Sequence, residues 1–162
     1  MSLRTAGIAL SAVALIGAQA SAQVAEPRFA GDWSLDVSRS AATMGMPSAA
    51  SYRIVFAGDT LKMSGESTTG DVVVKNDLMV GFDGKSWSNT LKQSGYEVPM
   101  ATIAKWDGKL MSIVMTGAVG DAEVMQDVKW TLSEDGKTFV SSRRIMVNGE
   151  EYATASMTFI RK

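Results

Sequence analysis

The residue with the most chemistry to offer is Arg143, and its neighbours say why. The runs on either side of Asp135-Gly136 read as two strands of a hairpin. Folding one back on the other sets Leu132 against Phe139, Trp130 against Ser141, Val128 against Arg143 and Gln126 against Ile145. One face of that hairpin is apolar and Arg143 is on it, whereas Arg144 points the other way. Carrying the pairing across Asn148-Gly149 brings Tyr152 opposite Ile145, Thr154 opposite Arg143 and Ser156 opposite Ser141. The result is an inner polar patch of Gln126, Ser141, Arg143, Thr154 and Ser156 with Tyr152 beside it. A guanidinium in an apolar interior is unfavourable unless a carboxylate meets it, from the protein or from a ligand. A one-residue bulge in the last hairpins is the competing reading. It would turn Arg143 to solvent, and the apolar set Ala153, Ala155, Met157 and Phe159 gives it weight.

The same inward face collects Met63, Met100, Met111 and Met115 with Trp87 and Trp130. Flexible thioethers and broad rings suit an adaptable pocket for an apolar ligand. They equally suit the filling of a small core, and both readings stand at this point. The candidate ligand-binding residues are therefore Arg143, Tyr152, Trp87, Trp130, Met63, Met100 and Met115.

Composition removes most other chemistry. The 162 residues include no Cys and no His, hence no thiolate nucleophile, no disulfide, no imidazole base and none of the commonest zinc, haem or copper ligands. The carboxylates lie mostly in turns (Asp59, Asp83, Asp107, Asp135) or side by side as exposed charges (Glu150, Glu151), where their role is conformational. There is no G-x-S-x-G, no glycine-rich phosphate loop and no cluster with metal-ligand spacing. The expectation is a protein that is not an enzyme and has no cofactor, no metal and no catalytic residue. With 16 Lys and Arg against 17 Asp and Glu, the net charge of −1 gives no footprint for nucleic acid.

The elements that must position these residues are strands. Residues 1–22 read as a cleaved signal peptide: Arg4, an apolar run over Ala6–Gly17, then Ala20 and Ala22 at the small-residue cleavage positions. That run is too short to span a bilayer, and no later stretch spans one as a helix. The expectation is a periplasmic or secreted protein, unlipidated for want of a Cys, whose single domain covers residues 23–162. Within it, runs rich in Val, Ile, Thr and aromatics alternate with Gly58-Asp59, Asp83-Gly84, Asp107-Gly108, Asp135-Gly136 and Asn148-Gly149, predicting about ten strands. Further tight pairing sets Ile54 against Met63 and Phe56 against Leu61, with Tyr52 on the same face. It also sets Val80 against Trp87, Leu78 against Asn89, Ala104 against Met111, Thr102 against Ile113 and Met100 against Met115. Ser67–Gly70, Gln93–Gly95 and Gly117–Gly120 read as looser connections, and Ser38–Ser48 as the candidate lid. One apolar face and no amphipathic helix to cover it predict an all-β, antiparallel up-and-down barrel of 8–10 strands. A folded sandwich is the alternative, and an outer-membrane barrel fits the inward apolar face less well.

The opening Phe29-Ala30-Gly31-Asp32-Trp33-Ser34-Leu35-Asp36 resembles the G-x-W first strand of lipocalin-like (calycin-type) barrels. The layout is similar to small exported bacterial members, with an aromatic-Asp-Gly-Lys hairpin at Phe82–Lys85 and a Ser-x-Asp-Gly-Lys-Thr hairpin at Ser133–Thr138. The resemblance implies a structural signature of Gly31, Trp33 and Arg161, the Trp closing the barrel base and the Arg packing across it. Beyond fold and export it implies little; the small hydrophobic ligand is read from the Met- and Trp-rich inner face, and the inner Arg with a Tyr is similar in kind to the carboxylate anchor of fatty-acid-binding barrels. Two rivals remain: a protease-inhibitor-like barrel using Gln23–Arg28 as an arm, and an envelope protein with no ligand. The oligomeric state is left open.

Overall fold

The computed structural model describes residues 27–93 and 96–162. The expected signal peptide and the arm residues Gln23–Glu26 lie outside the described residues. A short 3-10 turn, Pro27–Phe29, leads into ten strands: β1 (Gly31–Ala42), β2 (Ala49–Ala57), β3 (Thr60–Thr69), β4 (Val72–Gly81), β5 (Trp87–Gln93), β6 (Tyr96–Trp106), β7 (Leu110–Val119), β8 (Ala122–Leu132), β9 (Thr138–Val147) and β10 (Glu150–Arg161). All paired strands are antiparallel, in the order β4-β3-β2-β1-β10-β9-β8-β7-β6-β5. The sheet is a nearly closed up-and-down barrel, the expected class at the upper end of the expected strand number. Closure answers the problem the sequence poses, since it buries one apolar face and leaves few edge groups unpaired.

The base is an aromatic plug. Phe139 lies 4.7 Å from both Trp33 and Phe159, and Phe29 and Trp130 close over it. Trp33 donates its indole N–H to the Phe29 carbonyl at 2.9 Å, and the Arg161 guanidinium stacks 4.3 Å from the Trp33 ring. Arg161 also donates through Nε to the Gly136 carbonyl (2.9 Å) and through its terminal nitrogens to the carbonyls of Ala30 and Arg28. Gly31 has φ 137°, and a Cβ there would stand 2.5 Å from Arg161 Nη1. Glycine is needed for both reasons. Gly31, Trp33 and Arg161 thus form one assembly at the end of the chain's first and last strands.

The hairpins reveal where turn chemistry is and is not simple. The β2–β3 pairing of Ile54 with Met63 and Phe56 with Leu61 is as expected, and so is the whole β8–β9 register through Val128 and Arg143. Three expected registers differ. Around Asp107-Gly108, the Asp107 carboxylate accepts the N–H groups of Lys109 (2.9 Å) and Leu110 (2.8 Å) and lengthens the turn to residues 107–110. Ala104 therefore faces Ile113, Thr102 faces Met115 and Met100 faces Gly117. This shift of two keeps every side chain on its expected face.

Between β4 and β5 no ladder forms, so Val80 does not pair with Trp87 nor Leu78 with Asn89. Asp83 accepts the Lys85 N–H (3.1 Å), and the Trp87 ring lies against Gly81, filling the space a ladder needs. One rung is replaced by a side chain: Asn89 accepts the Met79 N–H at 2.8 Å and donates to the Met79 carbonyl at 3.0 Å. The third difference is in the last hairpin, where Tyr152 is an extra residue between Glu151 and Ala153. Beyond it Ala155, not Thr154, faces Arg143, and Met157, not Ser156, faces Ser141. This is the expected competing bulge, located on β10, so that β10 changes face while Arg143 keeps its inward position.

Two of the connections expected to be loose are tight, and the third, Gln93–Gly95, includes residues outside the described ones. Gly70-Asp71 and Gly120-Asp121 are two-residue turns, since Thr69 pairs with Val72 and Val119 with Ala122. Asn148 (φ 51°) and Gly149 (φ 83°) take the two positive φ angles that a tight hairpin turn demands. The candidate lid shrinks to residues 43–48, because β1 continues to Ala42 after a bulge between Asp36 and Ala41. Asp36 anchors that bulge, accepting from Ser38 and Arg39 at 2.6 Å each.

Candidate functional site

At the end of the barrel opposite the Trp33 plug, the inner face is not filled. A cavity of about 450 Å³ opens there, beneath the 43–48 connection. The inner faces of β3, β4, β8, β9 and β10 line it, with Met44, Gly45 and Pro47 at its mouth. The wall is mixed: Val72, Val74, Leu91, Ile145 and Met157 are apolar, while Ser67, Asn76, Gln126 and Arg143 are polar. Among the described residues the lining holds two cations, Lys92 and Arg143, and no carboxylate. Lys92 lies at the rim and pairs with Glu97 at 3.6 Å.

Arg143 is the unusual member. Val128 stands beside it on β8 and Ala155 on β10, so both strand neighbours are apolar. Its Nε is buried and without a hydrogen-bond partner, and no carboxylate among the described residues forms an ion pair with it. Burial works against its charge and holds its pKa below the ordinary arginine value, while the Tyr52 phenol nearby acts the other way. An arginine stays protonated regardless, so a charge is held at the cavity wall without a counter-charge.

Tyr52 is the inner tyrosine. It rises from β2 across β3, at a point where a Cβ on Gly65 would stand 2.7 Å from its ring, and its ring packs 5.3 Å from Phe159. Burial raises its phenol pKa, moderated by Arg143 and by a hydrogen bond with Ser67. Asn76 in turn donates to the Ser67 hydroxyl at 3.1 Å. Arg143, Ser67 and Asn76 thus make a polar stretch of the cavity wall drawn from β9, β3 and β4, with the Tyr52 phenol from β2 bonded to Ser67. The sequence placed Tyr52 on the inner face but did not connect it to Arg143, because those strands are distant in the chain and the barrel brings them together.

Of the other candidate residues, Tyr152 is 58 % exposed, set in the bulge at the cavity mouth. Trp130 and Met100 are buried in the core, and Trp87 and Met115 pack against it. Met63 lines a shallower groove of about 580 Å³ along the β4–β5 gap. Apart from Tyr152, none of these residues lines the cavity, and Trp130 belongs to the plug instead. The expected inner patch keeps Gln126, Ser141 and Arg143, while the register shift moves Thr154 and Ser156 away from Arg143 and Ser141, although Thr154 still borders the cavity. No group of metal-ligating side chains occurs among the described residues, and no helix among them is long and apolar enough to cross a membrane.

This ten-stranded antiparallel barrel has counterparts among solved structures. The fold is a lipocalin- and fatty-acid-binding-protein-like barrel. A Schistosoma mansoni fatty acid binding protein in complex with arachidonic acid superposes with a TM-score of 0.51 at 12% identity, over 83% of this chain and 96% of that one. Human cRBP IV gives 0.50 and 12%, over 82% of this chain and 97% of that one. The secretory abundant heat soluble protein 4 of Ramazzottius varieornatus gives 0.53 and 12%, over 86% and 99%. The sequence matches no protein-family model and no curated protein. At these identities the likeness is one of fold. The barrel's cavity must be read from its own residues.

Proposed function

We propose that this protein binds and carries a small, largely apolar molecule with an acidic head group, held in the open-end cavity with the acid on Arg143. The observation that carries this reading is the buried, unpartnered Arg143 Nε on a cavity without a carboxylate. Such a charge is stabilised by an anion that arrives with the ligand. The cavity volume falls in the range of small-molecule sites, and its apolar wall suits a hydrocarbon chain. The hydrophobic ligand named for the Schistosoma mansoni neighbour supports the same reading. No reaction on the ligand is part of it. The signal-peptide pattern of residues 1–22 supports binding in the periplasm or outside the cell, and intact mass of the exported protein should correspond to a chain starting at Gln23.

The test is calorimetric titration of the delipidated protein with palmitate, its methyl ester and its alcohol. Palmitate should bind about tenfold or more tightly than the neutral analogues, and Arg143→Met should remove that preference. Equal affinity for acid and ester, or an unchanged preference in the variant, overturns the reading.

A further inference from the structure

A plain carboxylate leaves one of the cavity's buried polar atoms unanswered. Gln126 is 4 % exposed, lines the cavity, and its Oε1 is buried without a hydrogen-bond partner. Its two strand neighbours on the inner face are Met115 and Ile145, and neither can donate. Arg143 stands diagonally from it, opposite Val128, within reach of one ligand head group. The two side chains do not satisfy each other, because Arg143 Nε and Gln126 Oε1 are both without partners. Arg143 offers donors and needs an acceptor, whereas Gln126 Oε1 is an acceptor and needs a donor. A carboxylate has only acceptors to give when ionised, so it answers the first group and not the second.

Resting on the acidic-ligand reading above, we propose that the cavity selects acids carrying a hydroxyl or amide N–H close to the carboxylate, with Arg143 taking the carboxylate and Gln126 accepting from the donor. 2-Hydroxy and 3-hydroxy fatty acids and N-acyl amino acids have this chemistry. A site built to pair with a ligand donor discriminates against the analogue that lacks it, because the buried acceptor is then left unpaired.

The experiment compares palmitate, 3-hydroxypalmitate and N-palmitoylglycine on the delipidated full chain and on Gln126→Leu. At least one of the two donor-bearing acids should bind about five- to tenfold more tightly than palmitate, and Gln126→Leu should erase that difference. Palmitate binding that depends on Arg143, with no gain for either donor-bearing acid, overturns this inference alone. It would mean that Gln126 and Arg143 pair with each other or that the amide presents its nitrogen inward. A gain that survives Gln126→Leu also overturns it. No binding of any of the three acids removes both this inference and the reading it rests on. Should Gln126→Leu not fold, the comparison of ligands on the unaltered protein still decides.

Discussion

The two ends of the barrel each hold an arginine against the interior, and they are treated in opposite ways. Arg161 at the base is saturated: its guanidinium stacks on Trp33 and reaches three backbone carbonyls, those of Arg28, Ala30 and Gly136. Arg143 toward the open end has a buried Nε with nothing to donate to. The difference follows from where carbonyls are free. Gly136 lies in a turn, and Arg28 and Ala30 lie ahead of β1, so their oxygens are not spent on a ladder. Arg143 sits mid-strand between β8 and β10, both fully laddered to β9 at that level, where every nearby carbonyl is already committed. An arginine next to turns becomes a strut. An arginine inside a ladder is left without a backbone partner.

The sharpest way to break this contrast is to remove both arginines in the same manner. Arg161→Met should destabilise the delipidated protein by about 3 kcal/mol, since it strips charged hydrogen bonds and the stacking on Trp33. Arg143→Met should leave stability unchanged or raise it by about 1–3 kcal/mol, because an apolar side chain replaces an uncompensated charge. Urea unfolding of the two variants decides the matter. A loss at Arg143 as large as that at Arg161 would mean that Arg143 is a structural element and the contrast is void.

How much of this was legible in the chain depends on the parity of each turn. The inward placement of Arg143 was readable because the Asp135-Gly136 hairpin keeps its simple register. The Met-rich hairpin slipped by two, which side chains tolerate without changing face. The single extra residue at Tyr152 was the costly one, since it put Ala155 and Met157, not Thr154 and Ser156, opposite Arg143 and Ser141. Local pattern names which faces are apolar, but it does not say where an odd residue is absorbed. Nor could it separate plug from cavity, because Trp130 and Arg143 share one face and differ only in their height along the barrel.

A smaller effect tests the seam that both ends share. β4 and β5 are held at one rung by the Asn89 amide on both backbone groups of Met79. Asn89→Ala leaves those groups without their partner, and should lower stability by roughly 1 kcal/mol. Hydrogen exchange should quicken at Met79 and along β4 and β5, with β8 and β9 unaffected. If exchange rises equally over the whole barrel, Asn89 supports the global fold and not the seam.

The smallest predicted effect again separates the two ends, this time by acid. The base turns are pinned by carboxylates: Asp83 by the Lys85 N–H, Asp107 by those of Leu110 and Lys109, and Asp135 by the Lys137 N–H and the Ser133 hydroxyl. Each hydrogen bond favours the ionised form, so all three pKa values lie below the ordinary 3.8. A folded-state pKa below the unfolded one means that the unfolded chain binds protons first as the pH drops. The contribution of these turns is therefore complete above about pH 5 and fades as the pH falls below about 4 toward the folded values. At the open end, the Asn148 side chain does the same work for the Glu123 N–H at 2.9 Å, with an amide that does not titrate. Between about pH 5 and pH 3, protection corrected for intrinsic exchange should fall at Lys85, Lys109 and Lys137 relative to Glu123. Asp135→Asn should remove that pH dependence at Lys137 alone. Equal loss of protection at Glu123 would show that acid acts on the barrel as a whole, and the two ends would then differ in their arginines but not in their turns.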